Sequence, residues 1–259
     1  MPSWASLVRA DNPGPMTLTG TNSWVLRAPG AEDCVVVDPG PPDEEHLARL
    51  AAAGPVAATL VTHGHHDHVE GLPRFGELTG APVRAADPGL SEPLRDGEVI
   101  EAAGLRIEVL STPGHTSDSV CFLVSGPGGE RGVLTGDTVL GAGTTVVMWP
   151  DGDLGAYLAS LDRLRRFDHL PVLPGHGPAL ADCAAAADFY LAHRRARLAQ
   201  VRAAVAAGSG EVDDVLDRVY PGLDASVRPA AELTVQAQLA YLAVSDREHN
   251  RRPQPLDPP

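Results

Sequence analysis

The feature that most constrains the fold of this chain is a polar run, His63-Gly64-His65-His66-Asp67-His68, that directly follows an apolar stretch. The stretch, residues 57–62, has the length and composition of a buried strand. Three later apolar runs also end in a polar residue beside a glycine, namely His115, Asp137 and His176. Glycine allows a sharp backbone turn there, so the neighbouring side chain can point off a sheet edge.

Short apolar runs alternate with helical patterns over residues 1–180. The predicted strands are continuous apolar runs, as in strands buried on both faces, and they cover residues 33–38, 57–62, 105–110, 119–124 and 132–135. Helical patterns lie between them at residues 44–53, 69–78 and 154–167. Strands interleaved with helices are typical of a layered α/β architecture.

The strand patterns end at about residue 180. Residues 182–207 predict one long helix rich in Ala and Arg, and residues 211–220 and 230–245 predict two more. The tail, residues 251–259, contains four prolines, and we expect it to be frayed. The sequence therefore predicts a catalytic domain over residues 1–180 and a small helical domain over residues 181–259.

Composition disfavours several classes of protein. The longest apolar stretch, residues 50–61, is too short and too interrupted by Gly54 and Pro55 to span a membrane. The net charge is −14 and all 20 basic residues are Arg, which disfavours non-specific nucleic-acid binding. The three cysteines form no paired motif and no secretory signal is visible, so we expect a cytoplasmic protein with reduced thiols.

The spacing of the polar cluster suits two metal ions. His63 and His65 are two residues apart and can face one ion, whereas Asp67 and His68 diverge and can serve a neighbouring ion. Imidazoles and carboxylates bind zinc, and also iron or manganese. Seven such groups are too many for one tetrahedral ion, and two ions ~3.5–4 Å apart can share a bridging hydroxide. Asp67 has an alternative interpretation, because with Glu70 it has the spacing of a helix capping box.

These motifs, in this order, resemble the metallo-β-lactamase superfamily. The resemblance implies an α/β fold of the αββα sandwich type, with a dinuclear metal site at one sheet edge. It implies two zinc ions, with iron or manganese as alternatives, held by a first group, a second group and one bridging residue: His63, His65 and His115; Asp67, His68 and His176; and Asp137. Asp38 matches an early Asp-x-Gly turn of the superfamily, and we assign it to orienting the ligand loop, the alternative being an ordinary turn residue.

A narrower resemblance rests on four segments: Asn12-Pro13, residues 17–24, residues 136–147 and residues 174–178. They are similar to the β-lactamase-like protein two family of hydrolases and single-strand endoribonucleases, whose fungal relatives include carrier-protein thioesterases. That family has a C-terminal winged-helix-like domain. Here the domain is expected to be degenerate, because the chain lacks the pattern of the usual β-wing after residues 230–245.

The function that we predict is hydrolysis of a small-molecule ester or thioester by a metal-bridging hydroxide, which Asp67 orients and whose proton it relays. Residues 141–147 form either part of the pocket wall or an ordinary loop. The substrate-binding residues are not identified by any motif. Two other functions stay open: a metal-dependent single-strand endoribonuclease, and a non-catalytic nucleic-acid-binding module built on the C-terminal helices.

The C-terminal helices bear on that choice. Seven Arg against three acidic residues between Arg163 and Arg202 could guide an anionic substrate, but a solvated helix face is the interpretation that we favour. The Ala-rich faces of the long helix allow close packing. We expect these helices to form a lid over the site or the surface of a homodimer rather than a reader of nucleic acid.

Overall fold

The computed structural model of the protein describes residues 1–91 and 93–251, and within them ten strands form two five-stranded sheets. The first sheet contains, in spatial order, β1 (Ala5–Arg9), β2 (Asn22–Leu26), β3 (Cys34–Val37), β4 (Val56–Leu60) and β5 (Val83–Arg84). The second contains β6 (Val99–Ala102), β7 (Leu105–Ser111), β8 (Val120–Ser125), β9 (Arg131–Gly136) and β10 (Val172–Pro174). All five predicted strands are present, with ends shifted by one or two residues.

Helices cover the outer faces of both sheets. In the described residues they are α1 (Glu44–Ala51), α2 (His66–Val69), α3 (Leu72–Thr79), α4 (Leu154–Leu164), α5 (Cys183–Ala206), α6 (Val212–Val219) and α7 (Arg228–Arg251). Three of them begin at an aspartate whose carboxylate accepts a hydrogen bond from a backbone N–H of the first turn: Asp43, Asp153 and Asp182. These caps explain where α1, α4 and α5 start.

Alternation along the strands produces four layers. Val35 and Val37 of β3 face the core between the two sheets, whereas Val36 packs with Leu47 and Leu50 of α1. The second sheet is arranged in the same way. Its inner residues, such as Ile107 and Phe122, join the inter-sheet core, and its outer residues, such as Cys121 and Leu123, pack with Leu161 of α4. The predicted αββα sandwich is confirmed.

The C-terminal ends of β3, β4, β7, β9 and β10 lie at the same edge of the sandwich. β3 and β4 are parallel neighbours, as are β9 and β10, and β7 runs in the direction of β9 because both are antiparallel to β8. The two sheets are hydrogen bonded to each other near this edge. Asn22 N donates to Gly175 O at 2.7 Å, and Val120 N donates to Thr62 O at 2.8 Å.

The helix predicted at residues 69–78 is divided. α2 ends at Val69 and α3 begins at Leu72. Gly71 N donates to Gly40 O at 2.9 Å, and Pro73 has no N–H with which to continue a helical ladder. Asp67 lies within α2, and the side chain makes no capping hydrogen bond to either helix. The capping-box interpretation of Asp67 is therefore wrong.

The C-terminal helices are joined to the sandwich through α5. Tyr190 and Leu191, in its first half, pack in the core with α4, whereas Val201 and Ala204 pack with α6 and α7. Between residues 181 and 251 all the strand and helix elements described are helices, so no β-wing occurs there. The predicted frayed tail, residues 251–259, begins at the last residue of α7, and the rest of it lies outside the described residues. The domain boundary at residue 180 stays a prediction. None of the described helices has the length and apolarity needed to cross a membrane.

Candidate metal centre

All seven predicted ligands lie together at the edge where β4, β7, β9 and β10 end. The loop after β4 carries His63 and His65, and α2, which follows it, carries Asp67 and His68. The turns after β7, β9 and β10 carry His115, Asp137 and His176, respectively. Four of the five histidines are buried, with exposures between 0% and 3%, and His65 is half-buried. The sequence motifs therefore converge in space as well as in type.

The first group consists of His63, His65, His115 and Asp137. His65 Nδ1 lies 3.0 Å from His63 Nε2 and 3.1 Å from His115 Nε2. Nitrogens bound tetrahedrally at ~2.05 Å from one zinc ion would lie ~3.3 Å apart. His115 Nδ1 donates to Val146 O at 2.7 Å, which leaves Nε2 unprotonated toward the site. The spacing of these nitrogens suits a common cation.

The second group consists of Asp67, His68 and His176. His68 Nε2 lies 3.2 Å from His176 Nε2. Asp67 Oδ2 lies 3.2 Å from His176 Nε2 and 3.4 Å from His68 Nε2. One ligand atom from each of the three residues therefore points to a common centre, separate from that of the first group.

Asp137 lies between the groups. Its Oδ2 is 3.8 Å from His115 Nε2 and 3.4 Å from His176 Nε2, while its Oδ1 is 3.6 Å from His68 Nε2. Oδ1 is buried and has no hydrogen-bond partner in the described residues, which is costly unless a cation compensates it. A Cβ on Gly175 would lie 2.4 Å from Asp137 Oδ1 and 2.8 Å from His68 Cε1, so only glycine leaves this space open. The residues fit a pair of divalent cations.

Asp38 is buried beneath the second group and has a left-handed backbone, with φ of 51°. Its Oδ2 accepts from His68 Nδ1 at 2.8 Å and from Thr62 Oγ1 at 2.7 Å, and its Oδ1 accepts from Thr62 N at 2.8 Å. The carboxylate thus holds the His68 ring with Nε2 toward the other ligands. Sequence reasoning missed Thr62, although its position between the strand and the histidine motif is a signal.

A second support comes from the segment before β2. Thr21 Oγ1 donates to Asp67 Oδ2 at 2.8 Å, and Asn12 Oδ1 accepts from Thr21 N at 2.8 Å. Asn22 Nδ2 donates to Pro174 O at 3.0 Å and to Gly177 O at 2.8 Å, on the two sides of His176. The sequence singled out this segment only through a family resemblance. A local signal was present in Asn22, a polar residue at the start of a strand.

Arg194 of α5 holds the loop after β9. It is 3% exposed, its guanidinium donates to Thr145 O, and it lies 5.3 Å from the centre of the Tyr157 ring. Tyr157 Oη in turn donates to Thr138 O at 2.7 Å, next to Asp137 in sequence. A Cβ on Gly114, which precedes His115 and has φ of 139°, would lie 2.3 Å from Tyr157 Cα.

Residues 142–146 line a cavity beside the ligands, which agrees with the pocket-wall interpretation of residues 141–147. The neighbouring Arg side chains do not form one free basic stripe. Arg163 pairs with Asp96 at 2.7 Å, and Arg165 pairs with Asp188 at 2.6 Å. Arg197 lies 4.6 Å from the centre of the Tyr220 ring. With Arg194 buried, the solvated-face interpretation is also incomplete.

Burial and charge divide the histidines into two kinds. Burial lowers the pKa of His63, His65 and His115, that of His115 to about 4, so these imidazoles are neutral at pH 7. Burial also lowers the pKa of His68 and His176, but nearby carboxylates outweigh it and raise these pKa values to about 9 and about 10. Asp38 acts most strongly on His68, and Asp137 on His176.

The carboxylates respond in the opposite direction. Burial raises the pKa of Asp67 and Asp137, but hydrogen bonding and charge from His176 and His68 outweigh it, so both pKa values are well below the ordinary range. Without cations the two imidazolium rings, His68 and His176, are therefore balanced by three nearby carboxylates, those of Asp38, Asp67 and Asp137. Bound cations would take the place of the two ring protons, because ligation needs neutral imidazole.

Comparison with known proteins agrees with this site. Residues 16–176 match the family model of the metallo-beta-lactamase superfamily. An atrochrysone carboxyl ACP thioesterase from Aspergillus chevalieri is 32% identical over 254 residues, which cover 91% of this chain and 80% of that protein. A beta-lactamase-like protein 2 homolog from Caenorhabditis elegans is 31% identical over 251 residues, which cover 89% of this chain and 81% of that protein.

A solved structure extends the match to nearly the whole chain. The crystal structure of a metallo-beta-lactamase family protein from Thermus thermophilus aligns with a TM-score of 0.74 and 26% identity, over 94% of both chains. The matched family segment contains all seven candidate ligands, from His63 to His176. This chain belongs to the metallo-beta-lactamase superfamily of metal-dependent hydrolases.

Proposed function

We propose that this protein hydrolyses the ester or thioester bond of a small molecule and that it uses two cations, zinc being the preferred metal. The observation that carries the proposal is the position of Asp137, whose two oxygens lie between two groups of converging ligands. His63, His65 and His115 would hold the first cation, and Asp67, His68 and His176 the second. Asp137 would touch both.

When bound, such a pair of cations lowers the pKa of water toward ~7 and polarises the carbonyl oxygen of a substrate. Five imidazoles and two carboxylates form a donor set that suits zinc, with iron and manganese as alternatives. The protein supplies the remaining functions. Asp38 and Val146 O fix the orientation of His68 and His115, so little reorganisation is needed when a substrate arrives.

Asp67 is the ligand best placed to act on the attacking water. Its side chain is 28% exposed, in contrast to the buried histidines around it, and Thr21 holds its Oδ2 at 2.8 Å. A carboxylate in this position can orient a water molecule and receive its proton. We assign Asp67 both roles, as a metal ligand and as the group that moves the proton.

Two observations support the acyl substrate: the name of one relative and the contacts of the arginine side chains. The relative from Aspergillus chevalieri is named as a thioesterase. The endoribonuclease alternative needs a basic surface, yet Arg163, Arg165 and Arg194 are engaged by protein groups. The proposal therefore includes a small-molecule substrate and activity without nucleic acid. We also propose a cytoplasmic location, and the homodimer stays a prediction.

The proposal is tested by metal analysis together with one turnover panel. The protein is stripped with a chelator, reloaded with zinc, iron or manganese, and assayed on acyl esters, acyl thioesters, single-stranded RNA and a chromogenic β-lactam. We expect about two metal equivalents per chain and hydrolysis of the acyl substrates. Less than about half an equivalent after reloading, or cleavage of RNA alone, would overturn the proposal.

A matched pair of variants locates the metal. Asp137→Ala is expected to lose one equivalent and the activity, because Asp137 lies between the two groups. The control is Asp168→Ala, which alters an exposed group of Asp168, His169 and Asp182 that also has metal-ligand spacing. The control should keep both equivalents. Loss of metal from Asp168→Ala with none from Asp137→Ala would refute the assignment of the metal to the Asp137 site.

A further inference from the structure

A cavity of about 340 Å³ lies directly beside the candidate metal centre. Its wall includes His115 and Asp137, so it opens onto the first ligand group. Its size falls within the range of pockets that bind small molecules, about 300–1,000 Å³. Four distant parts of the chain complete it: the loop before β2, the loop after β9, α5, and the segment from Tyr220 into α7.

The cavity wall is mostly apolar. Three of the four parts contribute apolar side chains, among them Met16 and Leu18, Leu140 and Val146, and Leu223 and Ala230, whereas α5 contributes His193 and Arg194. A largely apolar wall thus lies beside the strongly polar candidate metal centre. A substrate that fits both parts would have a reactive polar bond attached to an apolar group.

Apart from Asp137 Oδ1 and Arg194 Nε, the buried side-chain polar atoms of the wall have hydrogen-bond partners in the described residues. Thr234 Oγ1 accepts from Val147 N at 3.3 Å, and Thr145 Oγ1 lies 3.3 Å from His115 Nδ1. The Arg194 guanidinium donates to Thr145 O. These hydrogen bonds hold the wall together, and the guanidinium in the wall is directed to the carbonyl of Thr145.

We infer that this cavity binds the acyl group of the substrate and that the acyl group is a medium-length apolar chain or ring. The inference rests on the proposed hydrolysis and adds a substrate class to it. The carbonyl end of the substrate lies at His115 and Asp137, and the hydrocarbon end lies against Met16, Leu223 and Ala230. The C-terminal helices thereby take part in substrate selection, because they supply this outer wall.

The first test is a series of aryl esters with acyl chains of two, four, six and eight carbons, assayed on zinc-loaded protein. Each buried methylene should raise kcat/KM about fourfold until the cavity is full. Ala230→Leu reduces the cavity. It should lower kcat/KM for the octanoyl ester by more than about tenfold and leave the acetyl ester within about twofold.

Two further variants guard against a folding defect. Ala185→Leu makes the same change on the exposed face of α5, in a neighbouring groove, and should leave the whole series unchanged. Met16→Ala trims a cavity residue that is 47% exposed, so the fold should tolerate it. It should flatten the dependence on chain length without changing the acetyl rate.

A binding measurement separates this inference from the proposed function. Titration calorimetry with 1-octanol, a neutral probe that cannot be hydrolysed, should detect binding to the wild type and to Ala185→Leu, with loss in Ala230→Leu. Octanol binding without ester hydrolysis supports the cavity and refutes the proposed hydrolysis. Hydrolysis with a flat chain-length series and no octanol binding overturns the inference and leaves the hydrolysis standing.

Discussion

His68 Nδ1 donates a hydrogen bond to Asp38 Oδ2 at 2.8 Å, although thirty residues separate them in the chain. Both side chains are buried, with exposures of 0% and 1%. Because a carboxylate can only accept, this bond keeps the proton on Nδ1 when the ring is neutral, as ligation requires, and leaves Nε2 facing Asp67 and His176. One hydrogen bond to a residue outside the candidate ligand set thus orients one of the three members of the second group.

The first prediction concerns Asp38→Asn. The amide can donate from Nδ2 to His68 Nδ1, which would place the ring proton on Nε2, where a cation must bind. We expect affinity for the second metal equivalent to fall about 10–100-fold, as measured by competition with a chromogenic chelator. Asp43→Asn, at the cap of α1, is the matched control and should keep the wild-type affinity. Equal affinities in the two variants would contradict the orienting role.

The second prediction concerns Asp67→Asn. The neutral amide cannot receive a proton from water, so kcat should fall about 10²–10⁴-fold. The metal-free variant should stay folded with a modestly lower midpoint of thermal unfolding, because Asp67 is partly exposed but its Oδ2 lies 3.2 Å from His176 Nε2. The assay is turnover of one acyl ester alongside calorimetry. Full activity in Asp67→Asn would refute its role in proton transfer.

The third prediction compares two adjacent arginines of α5. Arg194→Met removes the donor to Thr145 O from a buried position, which should cost about 1–3 kcal/mol of unfolding free energy. Arg195 is exposed, and Arg195→Met should stay within about 0.5 kcal/mol of wild type. Urea unfolding measures both values. Equal stabilities would show that Arg194 does not hold the loop.

The fourth prediction is a pH dependence of the metal-free protein. Nearby carboxylates outweigh burial and raise the pKa of His68 to about 9 and that of His176 to about 10, against 6.5 as the ordinary value. A raised pKa stabilises the fold fully below pH 6.5, and this stabilisation is lost as pH rises through the folded-state pKa. The unfolding free energy should therefore fall between pH 6.5 and pH 9.

Urea unfolding at several pH values within that window tests the fourth prediction. The zinc-loaded protein is the control, since its ligating imidazoles would be neutral throughout and should show a smaller slope. A further control is His46, a buried histidine away from the ligand groups whose pKa is lowered, chiefly by burial. His46→Gln should leave the slope unchanged. A flat profile in the metal-free wild type would contradict the charge balance described for the second group.

The candidate ligand set was predictable from sequence because a pattern of neighbouring residues marks each of its members. His63, His115, Asp137 and His176 each follow an apolar strand by a few residues and lie beside a glycine or its turn. Strand formation and a sharp turn depend on neighbouring residues, so the pattern can be recognised without knowing the rest of the fold. The family resemblance then supplied the grouping into two sets.

Other features depend on residues that are distant in sequence. Arg194 belongs to an Arg-rich stretch that resembles a solvated helix face, and only the packing of α5 against Tyr157 buries it. The helix predicted at residues 69–78 is divided because Gly71 N meets Gly40 O. Neither contact has a signature within its own stretch of sequence.

Local sequence patterns were enough for a layered α/β architecture and for the seven candidate ligands, since strand periodicity and turn chemistry depend on neighbouring residues. The arrangement in two sheets was implied by the family resemblance. Long-range contacts instead orient His68 and His115, through Asp38 and Val146 O. They also bring four distant segments together around a mostly apolar cavity beside the candidate metal centre. Those features arise from long-range packing, in which the burial of a side chain depends on which surfaces the whole fold brings together.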